Sequence, residues 1–202
     1  MAKLEVYCGP MFARKTTGLL ESCIKINKSV GVVIYKPVID NRFAENDIVT
    51  HDGVKASEYG IEVVSKPTDW SLTKEDLTQL TKANIELVGI DEAQFFDDAD
   101  TIVSLLVTNG FNVICTGLDL DSSGNTFGKM GDLLCLADTV VKCTSDCSLC
   151  GDRATRTFRK LSAPTRSKVL VGGGEIYESR CLNHWEQGMQ EWLVWLSNEE
   201  KS

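Results

Sequence analysis

Apolar runs rich in β-branched and aromatic residues recur along the chain, at LEVYC (4–8), VVIYKPV (32–38), ELVGID (86–91), NVICTGL (112–118) and KVLVGG (168–173). The segments that follow several of them have helical periodicity. In TTGLLESCIKINKS (16–29), Leu19, Leu20, Cys23, Ile24 and Ile26 fall largely on one side of a helix. A second helix is predicted from about Thr73 to Ala83. A third follows DEAQFF (91–96), with Asp97, Asp98 and Asp100 near its positive end, where capping and solvation suit them better than metal ligation. Strand and helix in alternation predict an α/β fold with a mostly parallel sheet and helices on its faces.

From about Val141 the texture changes to Cys, Gly, Arg and short β-like runs, so two units are expected, a core over 1–140 and a smaller domain over 141–202. The second unit ends in HWEQGMQEWLVWLS (184–197), whose Trp185, Met189, Trp192 and Leu196 share a helical stripe suited to packing or a subunit contact. A chain of 202 residues, 43% hydrophobic and 25% charged, has the composition of a globular protein. Its net charge of −8 disfavours a sequence-independent grip on nucleic acid, which needs Lys and Arg. There is neither a signal-peptide pattern at the N-terminus nor a run of 18 apolar residues, so a cytoplasmic protein with no membrane partner is expected. In that compartment eight cysteines read as buried thiols and metal ligands rather than disulfides.

CGPMFARKTT (8–17) follows the first strand and opens the first helix, the setting of a phosphate-cradling loop. In such a loop backbone N–H groups face anionic oxygens, a Lys reaches the outer phosphates and a hydroxyl binds Mg²⁺, roles that Gly9, Lys15 and Thr16 can fill. Arg14 stands where the pattern has its second Gly, and it fits there if its φ is negative or its side chain points outward. A second motif supports the first. IELVGIDEAQFF is an apolar strand ending in adjacent carboxylates, with Asp91 placed to hold Mg²⁺ and Glu92 placed to take a proton from an attacking hydroxyl or water. Together they indicate an NTPase or a kinase without choosing between them.

Cys147 and Cys150 form C-x-x-C, and Cys181 and His184 form C-x-x-H, with 30 residues between the pairs. Three thiolates and an imidazole make a closed tetrahedral zinc site, structural in kind, that ties the ends of a loop over a substrate. A redox dithiol is the rival reading for the first pair and leaves the second unexplained. Cys143 has poorer spacing, and Cys8, Cys23, Cys115 and Cys135 read as core residues.

These residues resemble the type II thymidine kinases, the zinc-containing, phosphate-loop family. The likeness rests on GPMF and KT within 9–16, DNR (40–42), THDG (50–53), DEAQFF (91–96), GLD (117–119), FG (127–128), both zinc pairs and VGGGEIYESRC (171–181), in family order across nearly the whole chain. It implies a phosphate-loop core with a small zinc-binding lasso domain. The activity implied is transfer of the ATP γ-phosphate to the 5′-hydroxyl of thymidine, deoxyuridine also being possible, in pyrimidine deoxynucleotide salvage. Mg²⁺ is the implied cofactor, and the implied assembly is a homotetramer inhibited by thymidine triphosphate.

By the same resemblance, Glu92 is the catalytic base. ATP is held by Gly9, Pro10, Met11, Phe12, Ala13, Arg14, Lys15 and Thr16 together with Asp91, Glu92, Ala93 and Gln94. Asp40 and Arg42 lie near the transferring phosphate, and Phe95, Leu118 and Phe127 are assigned to the nucleoside. Tyr177 and the backbone of Lys168, Val169, Leu170, Val171 and Gly172 form the thymine-holding lasso, with Gly172, Gly173 and Gly174 permitting close backbone approach. Two departures stand out: Arg14 replaces the family's usual Gly, and Ser122 lies where many members carry an aromatic. His51 is expected to serve a structural hydrogen bond.

Overall fold

The computed structural model describes residues 1–39, 47–50, 52–162 and 170–199; Asp40, Arg42, His51, Lys168 and Val169 lie outside them. Six strands, β1 (Leu4–Cys8), β2 (Gly31–Pro37), β3 (Glu62–Lys66), β4 (Ile85–Ile90), β5 (Asn112–Gly117) and β6 (Thr139–Lys142), form one sheet in the order β3-β2-β4-β5-β1-β6. Every neighbouring pair in it is parallel. The helices between them are α1 (Lys15–Asn27), α2 (Lys74–Lys82), α3 (Ala99–Thr108) and α4 (Met130–Leu136). Helices on both faces explain why the central strands read as continuous apolar runs.

The strand alternation divides those runs between two cores. Leu4, Val6 and Cys8 of β1 and Val33 and Tyr35 of β2 join Ile102, Leu106, Met130 and Leu133 on the α3–α4 side. On the other side Val32 and Ile34 meet Leu19, Leu20 and Cys23 of α1. Leu19 and Leu20 are fully buried, a state that stabilises by roughly 2 kcal/mol per leucine. Ile24 packs at the margin of this core, whereas Ile26, expected on the same stripe, is exposed.

Local signals place the second helix well. Thr73 caps α2, accepting the Asp76 N–H at 3.1 Å, while the Asp76 carboxylate accepts the Thr73 N–H at 2.9 Å. At α3 the expectation holds in part: Asp97 and Asp98 are exposed to solvent, but Asp98 precedes the helix without a side-chain cap, and Asp100 pairs with Lys129 at 3.5 Å.

Beyond β6 the chain makes two small antiparallel hairpins, β7 (Ser145–Asp146) with β8 (Arg153–Ala154) and β9 (Arg156–Arg159) with β10 (Tyr177–Arg180), then α5 (Leu182–Glu199). The run KVLVGG is not a strand over its described part, 170–173. Trp192 of α5 is buried and donates its indole N–H to the Arg159 carbonyl at 2.7 Å, and Trp185 donates to the Ser122 carbonyl at 3.2 Å, so both pack within the chain. Cys8, Cys23 and Cys115 are buried as expected; Cys135 is not, because it lies on the outer side of α4. Among the described residues no helix is long and apolar enough to cross a membrane.

Candidate active site

The loop between β1 and α1 has a backbone that few sequences tolerate, with φ of 143° at Gly9, 62° at Phe12 and 56° at Arg14. At Gly9 both conformation and space demand glycine, since a Cβ there would lie 2.3 Å from the Cys143 carbonyl oxygen. Arg14 is left-handed, so the condition of a negative φ fails; its side chain is exposed, pairs with Asp52 and lines, with that residue, the open cleft beside the loop. A left-handed L-residue costs about 1–2 kcal/mol, and an exposed ion pair returns about 0–1. Arg14→Gly should therefore melt at the same temperature or higher and keep its ATP affinity. A large loss of ATP affinity would show instead that the guanidinium binds phosphate.

Lys15 begins α1 and is buried, its ammonium donating to the Pro10 carbonyl at 2.7 Å. Burial pushes its pKa down, and the carboxylates of Glu92 and Asp91 pull it back up. Thr16 donates its hydroxyl to Asp91 at 3.1 Å, and Thr116 of β5 donates to the same carboxylate. The ends of β1, β4 and β5 thus converge, at the carboxyl edge where open parallel sheets place their ligands. Thr16 and Asp91 supply there the hard oxygen donors that Mg²⁺ prefers.

Glu92 is also left-handed, with φ 51° and ψ 44°, which turns the chain out of β4 into the short 3₁₀ turn Ala93–Phe95. Gln94 is buried and fixes this turn. Its amide donates to the Glu92 carboxylate, and its carbonyl accepts the Leu118 N–H at 3.1 Å. Gly117 and Gly128 make room, because a Cβ at either would strike Gln94 within 2.6 Å.

Two cavities meet here. The larger, about 1060 Å³, is lined by 11–17, Asp91 and Glu92, together with Gly172, Gly173 and Gly174. A narrow pocket beside it is lined by Phe95, Phe127 and Tyr177, with Leu118 and the 170–172 segment. Phe95 and Phe127 pack edge to face at 5.5 Å, and the Tyr177 hydroxyl donates to the Leu170 carbonyl at 2.6 Å. Met11, Glu92, Leu118 and Gly172 line both. Gly9, Pro10, Ala93 and Gln94 line neither and stand behind the walls. Ser122 lines the narrow pocket, as its place after GLD suggested.

Sequence reasoning missed Thr157 and Asp121 in the narrow pocket and Lys36 in the larger one. A lysine inside the apolar run VVIYKPV was a usable signal for Lys36, which is buried and donates to the Asp47 carbonyl at 3.0 Å. Thr157 carried none.

Cys147 and Cys150, in the β7–β8 turn, meet Cys181 and His184 from the start of α5, with all four donor atoms within 4.8 Å of one another. The His184 Nδ1 lies 3.6 Å from the Cys147 sulfur and 3.3 Å from that of Cys181, and the Cys150 and Cys181 sulfurs are 3.9 Å apart. A tetrahedral zinc at ordinary bond lengths separates two sulfurs by about 3.8 Å and sulfur from nitrogen by about 3.5 Å, so the four residues fit zinc. Burial works against the Cys147 thiolate, yet backbone N–H groups of Cys181, Leu149 and Cys150 lower its pKa, while the neighbouring Cys150 thiol is pushed up beside it. Cys143 stays outside the cluster, beside Gly9.

A family model described as thymidine kinase matches residues 2–185. A protein of Thermococcus kodakarensis described as a thymidine kinase is 38% identical over 188 residues, covering 90% of this chain and 92% of that protein. A match of this extent, on a chain whose phosphate loop, carboxylate pair and cysteine–histidine cluster are all assembled in three dimensions, shows that the chain belongs to the thymidine kinase family.

Proposed function

We propose that this protein transfers the γ-phosphoryl group of ATP to the 5′-hydroxyl of thymidine, with deoxyuridine as a second acceptor, in pyrimidine deoxynucleotide salvage. The observation that carries this reading is the position of Glu92, which lines both the phosphate-loop cleft and the narrow aromatic pocket. A carboxylate at that junction is within reach of a nucleoside hydroxyl on one side and a terminal phosphate on the other. It takes the proton as the oxygen attacks phosphorus, and ADP leaves.

In this scheme the 9–16 loop cradles the phosphates and Lys15 neutralises their charge. Thr16 and Asp91 would hold Mg²⁺, which would screen the charge that builds on the leaving oxygens. Thymidine lies between Phe95, Phe127 and Tyr177, read by the 168–172 backbone, with Asp40 and Arg42 near the transferring phosphate. Zinc at Cys147, Cys150, Cys181 and His184 is structural, because four protein ligands leave no open position. We place the division between catalytic core and lasso domain near residue 140. A cytoplasmic homotetramer restrained by thymidine triphosphate, without nucleic-acid or membrane partners, completes the proposal.

A panel of nucleosides with Mg-ATP tests it. Thymidine should be converted fastest and deoxyuridine next, with purine deoxynucleosides far behind. Equal rates across the panel would contradict the assignment of the narrow pocket.

A further inference from the structure

Met11 occupies the middle of the phosphate loop, in a stretch where Phe12 and Arg14 hold positive φ, and its backbone groups are outside any strand or helix. Backbone of this kind persists only where its surroundings hold it. Two buried hydroxyls do so. The Met11 N–H donates to Thr157 Oγ1 at 3.0 Å, and the Met11 carbonyl accepts from Ser179 Oγ at 2.7 Å.

Thr157 and Ser179 are directly opposite each other in the β9–β10 pairing, so one cross-strand pair grips both polar groups of one residue. The grip continues into the metal cluster. Ser148, between the ligands Cys147 and Cys150, donates both its N–H, at 2.9 Å, and its hydroxyl, at 3.1 Å, to the Ser179 carbonyl. Met11 is one of the few residues that line both cavities, so its placement sets one relative to the other.

We propose that Thr157 and Ser179 are positioning residues, which clamp the Met11 backbone and hold the phosphate loop in register with the nucleoside pocket. Through Ser148 the same clamp ties the loop to the cysteine–histidine cluster. The inference rests on the reading of this site as an ATP-dependent nucleoside kinase. Ser179 lines neither cavity, so an effect of its hydroxyl on ATP must pass through Met11.

The test compares the parent with Ser179→Ala, Ser179→Cys and Thr157→Val, well below the melting temperature of each and with zinc content measured. Readouts are equilibrium binding of a non-hydrolysable ATP analogue and the kinetic constants for ATP and thymidine. Ser179→Ala should keep its zinc, bind the analogue about tenfold more weakly and lose a similar factor in kcat/KM for ATP, the equivalent of one hydrogen bond lost from a carbonyl that stays buried. Ser179→Cys, which retains a weak donor, should fall between Ala and the parent. Thr157→Val keeps the volume, loses the acceptor and carries the same expectation for analogue binding, should Ser179→Ala not fold. In the double variant the losses should sum to less than the two single effects, because both hydroxyls hold one residue. Analogue binding and kcat/KM within twofold of the parent, or strictly additive losses, would overturn the clamp. A parent that binds the analogue but phosphorylates no thymidine would count against the proposed activity, and the binding series would still decide the clamp.

Discussion

Glu92→Gln should lower kcat by roughly 10²–10⁴ while leaving the KM for ATP and thymidine nearly unchanged, the scale expected when a general base is lost and binding is not. Glutamine keeps the size of the side chain and can still face Gln94, so the hydrogen bond that orients residue 92 is disturbed less than its basicity. The left-handed backbone at Glu92 adds a reason to choose this substitution, because it leaves the strain of that turn as it was. Phosphoryl transfer passes through a loose transition state, and in the proposed reaction most of the acceleration would come from positioning and from the charge of Lys15 and of Mg²⁺. A residual rate is therefore expected. Turnover of thymidine by Glu92→Gln at nearly the parent rate would remove Glu92 as the base and leave Asp40 as the next candidate.

The metal cluster predicts the second large effect. Protein purified without chelator should carry about one zinc per chain, and Cys150→Ser should lose it, since three remaining ligands no longer close the site. The consequence is local unfolding rather than collapse of the whole chain. The six-stranded sheet has its own two cores, whereas β7–β8, β9–β10 and the start of α5 are joined through the cluster. Activity should fall by about a hundredfold, because the segment that lines both cavities at 170–174 is anchored to β10. Fully active protein with no zinc would refute the structural role.

The parts of this molecule legible in the sequence are those whose signal is local. LEVYC, VVIYKPV, ELVGID and NVICTGL became β1, β2, β4 and β5 because strands buried on both faces need long apolar runs. Thr73 and Asp76 marked the start of α2 because a capping box acts within one turn. The two strands of the six-stranded sheet that were missed were weak for physical reasons: β3 is half-buried, and β6 is a mostly exposed edge of four residues. KVLVGG was misread over its described part because Leu170 and Val171 line a pocket instead of pairing. The phosphate loop, the Asp91–Glu92 pair and the zinc ligands could be read from spacing, and the structure brings each group together. What spacing cannot carry is a hydroxyl that bonds the backbone of a residue far along the chain, as those of Thr157 and Ser179 bond Met11.

The most direct test of the account is the stoichiometry of the reaction itself. With Mg-ATP and thymidine, the purified protein should form ADP and thymidine 5′-monophosphate in equal amounts, and without a nucleoside it should consume ATP only slowly. Rapid ATP consumption that is indifferent to thymidine, with no 5′-monophosphate formed, would contradict it.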